Sequence, residues 1–255
     1  MILKVINLSI NFGGVKALQK VSFSVRDGEV KAVIGPNGAG KTTLFNLITG
    51  IFPPTSGKIL LDDIRIDGRK SNKIASMGIT RTFQNLEIFD NMTVLENVMV
   101  GRHLKSSSGF LECAFRAPTA VKEERKIAET SLKYLDFVGL EPRANDISTS
   151  LPLGHQRYLE IARALASEPR LILLDEPAAG LDERETEDLL QLIRKISENG
   201  ITVLLVEHDM GLTMEISDDI IVLDHGELIA EGTPREIQYN KNVIEAYLGE
   251  DVVFT

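Results

Sequence analysis

Apolar residues first recur with the period of a strand. Ile2 to Phe12 and Val15 to Val25 are rich in β-branched and apolar residues, and Gly13-Gly14 lies between them. That pattern predicts two strands joined by a turn. Asp27-Gly28 marks a second turn. The apolar run Lys31 to Ile34 then ends at a glycine-rich segment, Gly35 to Gly40, and Lys41 to Thr49 reads as a helix. The order is strand, glycine loop, helix. Helix starts further on follow from capping chemistry. Thr93 with Glu96, Asp182 with Glu185 and Thr233 with Glu236 each have the spacing of a capping box, and Pro234 suits a first helical position. From His155 to Ala166, the residues Tyr158, Leu159, Ile161, Ala162, Leu165 and Ala166 share one face of a predicted amphipathic helix. Leu171 to Leu174 and Ile201 to Val206 are nearly all apolar, and both end in acidic residues. Strands apolar on both faces, set among helices, predict a parallel sheet covered on both sides. The stretch 85–150 reads as a mostly helical insert, with Gly101 to Pro118 as a pattern-poor excursion inside it that holds Ser106-Ser107-Ser108-Gly109.

Composition narrows the class. The 255 residues carry 28 Lys plus Arg against 37 Asp plus Glu, a formal charge of −9. A chain with this balance lacks the basic stripe of a dedicated nucleic-acid binder, so no nucleic-acid partner is expected. A chain of this size buries roughly 70–75% of its unfolded surface and needs no staple. Cys113 is the one cysteine, which excludes an intrachain disulfide, and the four histidines have no metal-ligand spacing. No apolar run approaches the ~20 residues of a bilayer span, and Met1 to Phe12 alternates instead of forming a signal-peptide core. A cytoplasmic location is expected, with any membrane role exercised through a partner.

Candidate chemistry starts at the glycine loop. Gly35-Pro36-Asn37-Gly38-Ala39-Gly40-Lys41-Thr42 matches the phosphate-binding pattern G-x-x-x-x-G-K-[ST]. A triphosphate needs many donors close to its oxygens. Glycines admit backbone N–H groups without a Cβ in the way, and the following helix turns its positive end toward the anion. Lys41 adds a point charge for the β- and γ-phosphates, and Thr42 a hydroxyl for Mg²⁺. The motif arises by chance in roughly one chain in a hundred of this length. Here it also has the strand before it and the helix after it that the chemistry requires.

Leu171 to Leu174 leads into Asp175-Glu176-Pro177. Asp175 is expected in the Mg²⁺ shell, and Glu176 as the carboxylate that orients and deprotonates the attacking water. By themselves these would be two solvated acids at a strand end; beside a phosphate loop they have a task. His208, after the next apolar strand, is a candidate contact for the terminal phosphate, and Gln84 for Mg²⁺ or the attacking water.

The phosphate loop, Gln84, Gly154-His155-Gln156-Arg157, Asp175-Glu176-Pro177, Leu181-Asp182 and His208 occur in one order along nearly the whole chain. In this the protein resembles the nucleotide-binding subunit of ATP-binding-cassette transporters. The resemblance implies an α/β fold: a P-loop NTPase, RecA-like core with an N-terminal antiparallel β subdomain and an inserted α-helical subdomain. It implies one cassette over 1–255, with 1–84 and 151–255 as the catalytic core and 85–150 as the helical signature part. It further implies ATP and Mg²⁺ as ligands. Phe12 would stack on adenine, and the nucleotide would contact Gly35 through Thr43. Gln84 would be the glutamine of its loop, Asp182 the D-loop aspartate and His208 the switch histidine, with Gly154 and His155 on the signature helix. Implied partners are a second cassette, two membrane permeases and, indirectly, a solute-binding protein, which places the chain on the inner face of the membrane. Within the family, Arg81-Thr82-Phe83-Gln84, Met92-Thr93-Val94-Leu95-Glu96-Asn97, Glu207-His208-Asp209-Met210 and the ending Ile244 to Glu250 look like importer cassettes for branched-chain amino acids. Cassettes for amides or urea are similar.

One departure stands out. The family's Leu-Ser-Gly-Gly-Gln is Leu151-Pro152-Leu153-Gly154-His155 here, without the serine hydroxyl. Three rival readings have discriminating features. A GTPase would want Asn-Lys-x-Asp, and Asn240-Lys241-Asn242-Val243 lacks the acid. A cassette acting on DNA or ribosomes would carry a second cassette or a coiled coil. A non-hydrolysing regulatory cassette fits Pro152 but not Glu176 and His208.

Overall fold

The computed structural model describes residues 1–82, 84, 86–103 and 118–248. Phe83, Asn85, the Ser106–Gly109 run, Cys113, Gly249 and Glu250 lie outside the described residues, as does nearly all of the expected excursion between Gly101 and Pro118. Two compact units form. One comprises Met1–Arg81, Arg170–Ala178 and Leu190–Thr255, the other Thr82–Pro169 and Ala179–Leu189.

The first unit holds both sheets. Strands β1 (Leu3–Phe12) and β2 (Val15–Val25) are antiparallel, with Phe12 opposite Val15 across the Gly13-Gly14 turn. With β4 (Ser56–Leu61) and the two-residue β5 (Ile64–Arg65) they form a sheet of order β2-β1-β4-β5. The second sheet is built from β3 (Val30–Ile34), β6 (Ile79–Arg81), β7 (Leu171–Asp175), β8 (Thr202–Val206), β9 (Asp219–Asp224) and β10 (Glu227–Gly232). Its order is β10-β9-β3-β8-β7-β6, parallel except for the β9–β10 hairpin. Every residue of β3, β7 and β8 is buried, as expected for strands covered on both faces.

Alternation along these strands assigns the faces. Val33, Leu171, Leu173, Leu204, Val206, Ile221 and Leu223 join the larger core with helix α1 (Lys41–Ile48) and the inner side of the antiparallel sheet. Ala32, Ile34, Ile220 and Val222 enter a second core with Ala230 and residues of α7 (Met210–Ile216), α8 (Pro234–Gln238) and α9 (Lys241–Leu248). Lys31 interrupts the apolar strand β3 yet is 1% exposed. Its Nζ donates to Asp219 Oδ2 at 2.5 Å, Glu231 Oε1 at 2.6 Å and Ser24 O at 2.8 Å, which compensates the buried charge. A short helix α2 (Ser71–Ser76) precedes β6.

The second unit is helical. It contains α3 (Val94–Gly101), α4 (Pro118–Phe137), α5 (Leu153–Leu165) and the start of α6 (Glu183–Glu198). Both reciprocal bonds of the capping box are present at Thr93–Glu96 and at Asp182–Glu185. At Gly101 the backbones of α3 and α5 come so close that a Cβ would meet Arg163 O at 2.1 Å, so only glycine fits. None of the helices among the described residues is long and apolar enough to cross a membrane.

Candidate functional site

The glycine loop joins β3 to α1 in the first unit. Gly35 has φ +149, and a Cβ there would lie 2.0 Å from Leu223 O; at Gly40, φ +107, it would lie 2.8 Å from Ala17 O. These two glycines seat the loop against its neighbours. Gly40 is also the N-cap of α1 and supplies no side-chain cap. The first N–H groups of that helix therefore point into the loop, the arrangement that binds phosphate. Pro36 and Gly40 are half-buried, Asn37 and Gly38 are exposed, and Ala39 is buried. Thr42 is exposed and Thr43 half-buried. Lys41 is 6% exposed and lies back along the loop, its Nζ donating to Gly35 O at 2.6 Å and Pro36 O at 3.1 Å. Burial pushes its ammonium below the usual lysine value, while the carboxylates of Glu176 and Asp175 act in the other direction.

Asp175 and Glu176 end β7. The two adjacent acids meet different surroundings. Asp175 is buried, and its Oδ2 accepts from Arg81 Nη2 at 2.6 Å. The same guanidinium donates to Asn46 Oδ1 at 2.6 Å and lies over the Phe45 ring, tying the ends of β6 and β7 to α1. Arg81 belongs to the Arg-Thr-Phe-Gln run, but its bond to Asp175 had no signal in spacing, since 94 residues separate them. Glu176 turns away in a left-handed backbone, φ +49. Its Oε1 lies 2.7 Å from His208 Nε2, and since a carboxylate only accepts, the ring N–H is the donor. The expected base and the expected switch histidine therefore meet directly.

Glu207 is the residue that sequence reasoning passed over. It is 4% exposed; Oε1 accepts from Ala178 N at 2.9 Å and Oε2 from His208 N at 3.2 Å. Burial pushes this carboxyl above the ordinary range, and the neighbouring Glu176 charge adds to the effect. A buried acid after an all-buried strand was the available clue. Phe12 is 44% exposed at the end of β1, and its ring meets Phe52 edge-on, centroids 5.4 Å apart.

The remaining expected residues belong to the second unit. Gln84 is exposed, and its carbonyl accepts from Arg157 Nη2 at 3.1 Å, which links its loop to α5. Phe89 is held through both backbone groups: its N–H donates to Asn97 Oδ1 at 2.8 Å, and its carbonyl accepts from Asn97 Nδ2 at 3.1 Å. The Phe89 ring stays 44% exposed, while Leu86, Ile88 and Met92 are half-buried. Helix α5 begins at Leu153, two residues ahead of the expected His155, with Pro152 as an N-cap that offers no side-chain bond. His155 is exposed, and Gly154 is buried because Glu185 packs over it: a Cβ would meet Glu185 Oε1 at 2.6 Å. Asp182 is exposed, and its Oδ1 accepts from Glu185 N at 2.8 Å.

The donor set suits Mg²⁺. Thr42 offers a hydroxyl and Asp175 a carboxylate, both hard oxygens, and this ion takes few protein ligands beside phosphate and water.

The sequence matches the family model described as ABC transporter over residues 18–179, and the model described as branched-chain amino acid ATP-binding cassette transporter over 227–253. It is 47% identical over 250 residues to the high-affinity branched-chain amino acid transport ATP-binding protein BraF of Pseudomonas aeruginosa, covering 98% of each chain. Among solved structures, the fold is similar to an ATP-binding cassette of an ABC transporter in its ADP conformation, with a TM-score of 0.83 and 32% identity over 98% of this chain and 99% of the other. It is also similar to a bacterial ABC transporter cassette solved as a dimer, with a TM-score of 0.77 and 29% identity over 91% and 99%.

Proposed function

The chain belongs to the ATP-binding cassettes of ABC transporters, and from that premise we propose that it drives uptake of branched-chain amino acids by hydrolysing ATP at Glu176. The observation that carries the hydrolytic part is the 2.7 Å approach of Glu176 Oε1 to His208 Nε2, in the unit that also holds the Lys41 loop. The cargo rests on likeness to BraF from end to end.

Each group has a task in this reading. The N–H groups from Gly35 to Thr43 and the Lys41 ammonium grip the triphosphate, and Phe12 stacks on the base. Glu176 orients the attacking water and takes its proton, and His208 fixes the carboxylate and reaches for the terminal phosphate. Thr42 and Asp175 would hold Mg²⁺, which when bound supplies neutralising charge to the phosphate oxygens. Phosphoryl transfer is mainly positioning and charge stabilisation, so turnover waits for a complete site. A second cassette completes it with its signature helix and D-loop. In return this chain lends the α5 N-terminus, Gly154, His155 and Asp182 to its partner. A serine hydroxyl bonding a charged phosphate contributes about 1.5–3 kcal/mol, and Pro152 has none. Pairing with an unlike cassette that keeps the serine offsets that loss at one of the two sites. Leu86, Ile88, Phe89 and Met92, beside Gln84, form the apolar surface that receives a permease, which places the chain on the cytoplasmic face of the membrane. A solute-binding protein acts on the far side.

Reconstitution with the two permeases, the second cassette and the binding protein in liposomes tests the whole. The expected result is ATP-dependent uptake of labelled leucine, isoleucine or valine. Uptake of amides or urea in their place would overturn the cargo, and uptake without ATP consumption the mechanism.

A further inference from the structure

Two turns meet behind the Glu176–His208 pair. The first, Glu176-Pro177-Ala178, leaves β7; the second, Glu207-His208, leaves β8. The first is strained. Glu176 has φ +49, unfavourable for a residue with a Cβ and more so before proline. Its N–H donates to Val206 O at 2.9 Å, which continues the β7–β8 ladder by one bond. Beyond that bond the strand pairing ends, and a side chain takes over. Glu207 accepts the Ala178 N–H on one oxygen and the His208 N–H on the other. The four contacts form a chain between the two turns: Val206 to Glu176, Glu176 to His208, His208 to Glu207, and Glu207 to Ala178.

A carboxylate is an expensive residue for this place. It is 4% exposed, near a second carboxylate, and burial pushes its pKa up. A leucine would fill a comparable volume without that cost. What leucine cannot do is accept two N–H groups from two different turns. We propose that Glu207 is a positioning residue for hydrolysis, its two oxygens latching the turn that carries Glu176 to the turn that carries His208 and so holding base and histidine in register. This rests on the reading of Glu176 and His208 as the hydrolytic pair.

Substitutions separate the latch from mere packing. Glu207→Gln keeps one acceptor and sets an NH₂ against the other N–H, so one arm survives. Glu207→Leu keeps the bulk and loses both arms. Small displacements of reacting groups cost up to about 10²-fold. In the assembled two-cassette complex with Mg-ATP, kcat should fall roughly tenfold for Gln and about a hundredfold for Leu. The calorimetric Kd for ATP should stay within about twofold in both, because the phosphate loop is untouched. A double-variant cycle adds the decisive readout. In the Glu176→Gln background, Glu207→Leu should produce almost no further loss, since a latch for an absent base has nothing to position. An unchanged kcat in Glu207→Leu overturns the proposal. So does a loss that multiplies in full on Glu176→Gln, or one that comes with an equal loss of ATP affinity. Should Glu207→Leu fail to fold, the near-isosteric Gln variant carries the same comparison. A wild-type chain that binds ATP without hydrolysing it in the assembled complex would instead remove the hydrolytic reading beneath the latch.

Discussion

Lys41 and Glu176 both hold positions that their residue type alone would not choose. An ammonium 6% exposed and bonded to two carbonyls is poorly hydrated, and burial works against its charge. Such a group gains most from an anion with several oxygens. Lys41→Ala should therefore weaken ATP binding itself; a fluorescent-nucleotide titration giving the wild-type Kd would argue against the phosphate role. Glu176 could have continued β7, but its left-handed backbone turns it from the bond that holds Asp175 toward His208. Residue identity singled out the two acids at the end of β7, and the structure gives them different partners, Arg81 and His208. It did not predict the conformation that separates them, because a positive φ at a glutamate has no mark in the sequence. The bonds of Arg81 and Glu207 had no mark for a related reason: their partners Asp175 and Ala178 are brought near by the parallel sheet, 94 and 29 residues away.

Elements whose signals are local were legible. The strands β1 and β2, the apolar strands β7 and β8, and the helix starts at Thr93, Asp182 and Thr233 stand where period and capping chemistry put them. The two-residue β5, exposed on both residues, has no period to read. The capping boxes have a pH signature. The N–H groups of Thr93 and Thr233 hold Glu96 and Glu236 below the ordinary carboxylate range. A depressed native pKa stabilises the fold above the unfolded value, and the gain disappears as pH falls through the native one. Stability measured by urea unfolding should therefore drop less between pH 7 and pH 3 in a Glu96→Gln, Glu236→Gln double variant, whose caps do not titrate, than in the wild type. An equal drop would show that the boxes do not titrate with folding. At α5 the N-cap is Pro152, without a side-chain bond. Pro152→Ser should supply both a cap, worth about 0.5–2 kcal/mol, and the missing hydroxyl. The expected outcome is a higher urea midpoint together with faster ATP turnover in the assembled pair. A higher midpoint with no gain in rate would confine the serine to a capping role.

At the scale of the molecule, the expected functional residues divide between two units. The phosphate loop, Asp175, Glu176 and His208 belong to the unit with both sheets, and Gln84, Gly154, His155 and Asp182 to the helical one. On the proposed reading, the phosphate-gripping loop and the hydrolytic pair are built on the first unit, and Gly154, His155 and Asp182, the groups offered to a partner cassette, on the second. The order of motifs made the α/β plan legible. The strands β4 and β5 that extend the antiparallel sheet were not, since β4 is short with only Ile59 and Leu61 buried, and β5 is two exposed residues. The central claim is that Glu176 activates water on ATP held by the Lys41 loop. Steady-state ATP hydrolysis by Glu176→Gln in the assembled two-cassette complex tests it most directly. A fall of about 10²–10⁴-fold, with ATP still bound, is the predicted result. Hydrolysis near the wild-type rate would contradict it.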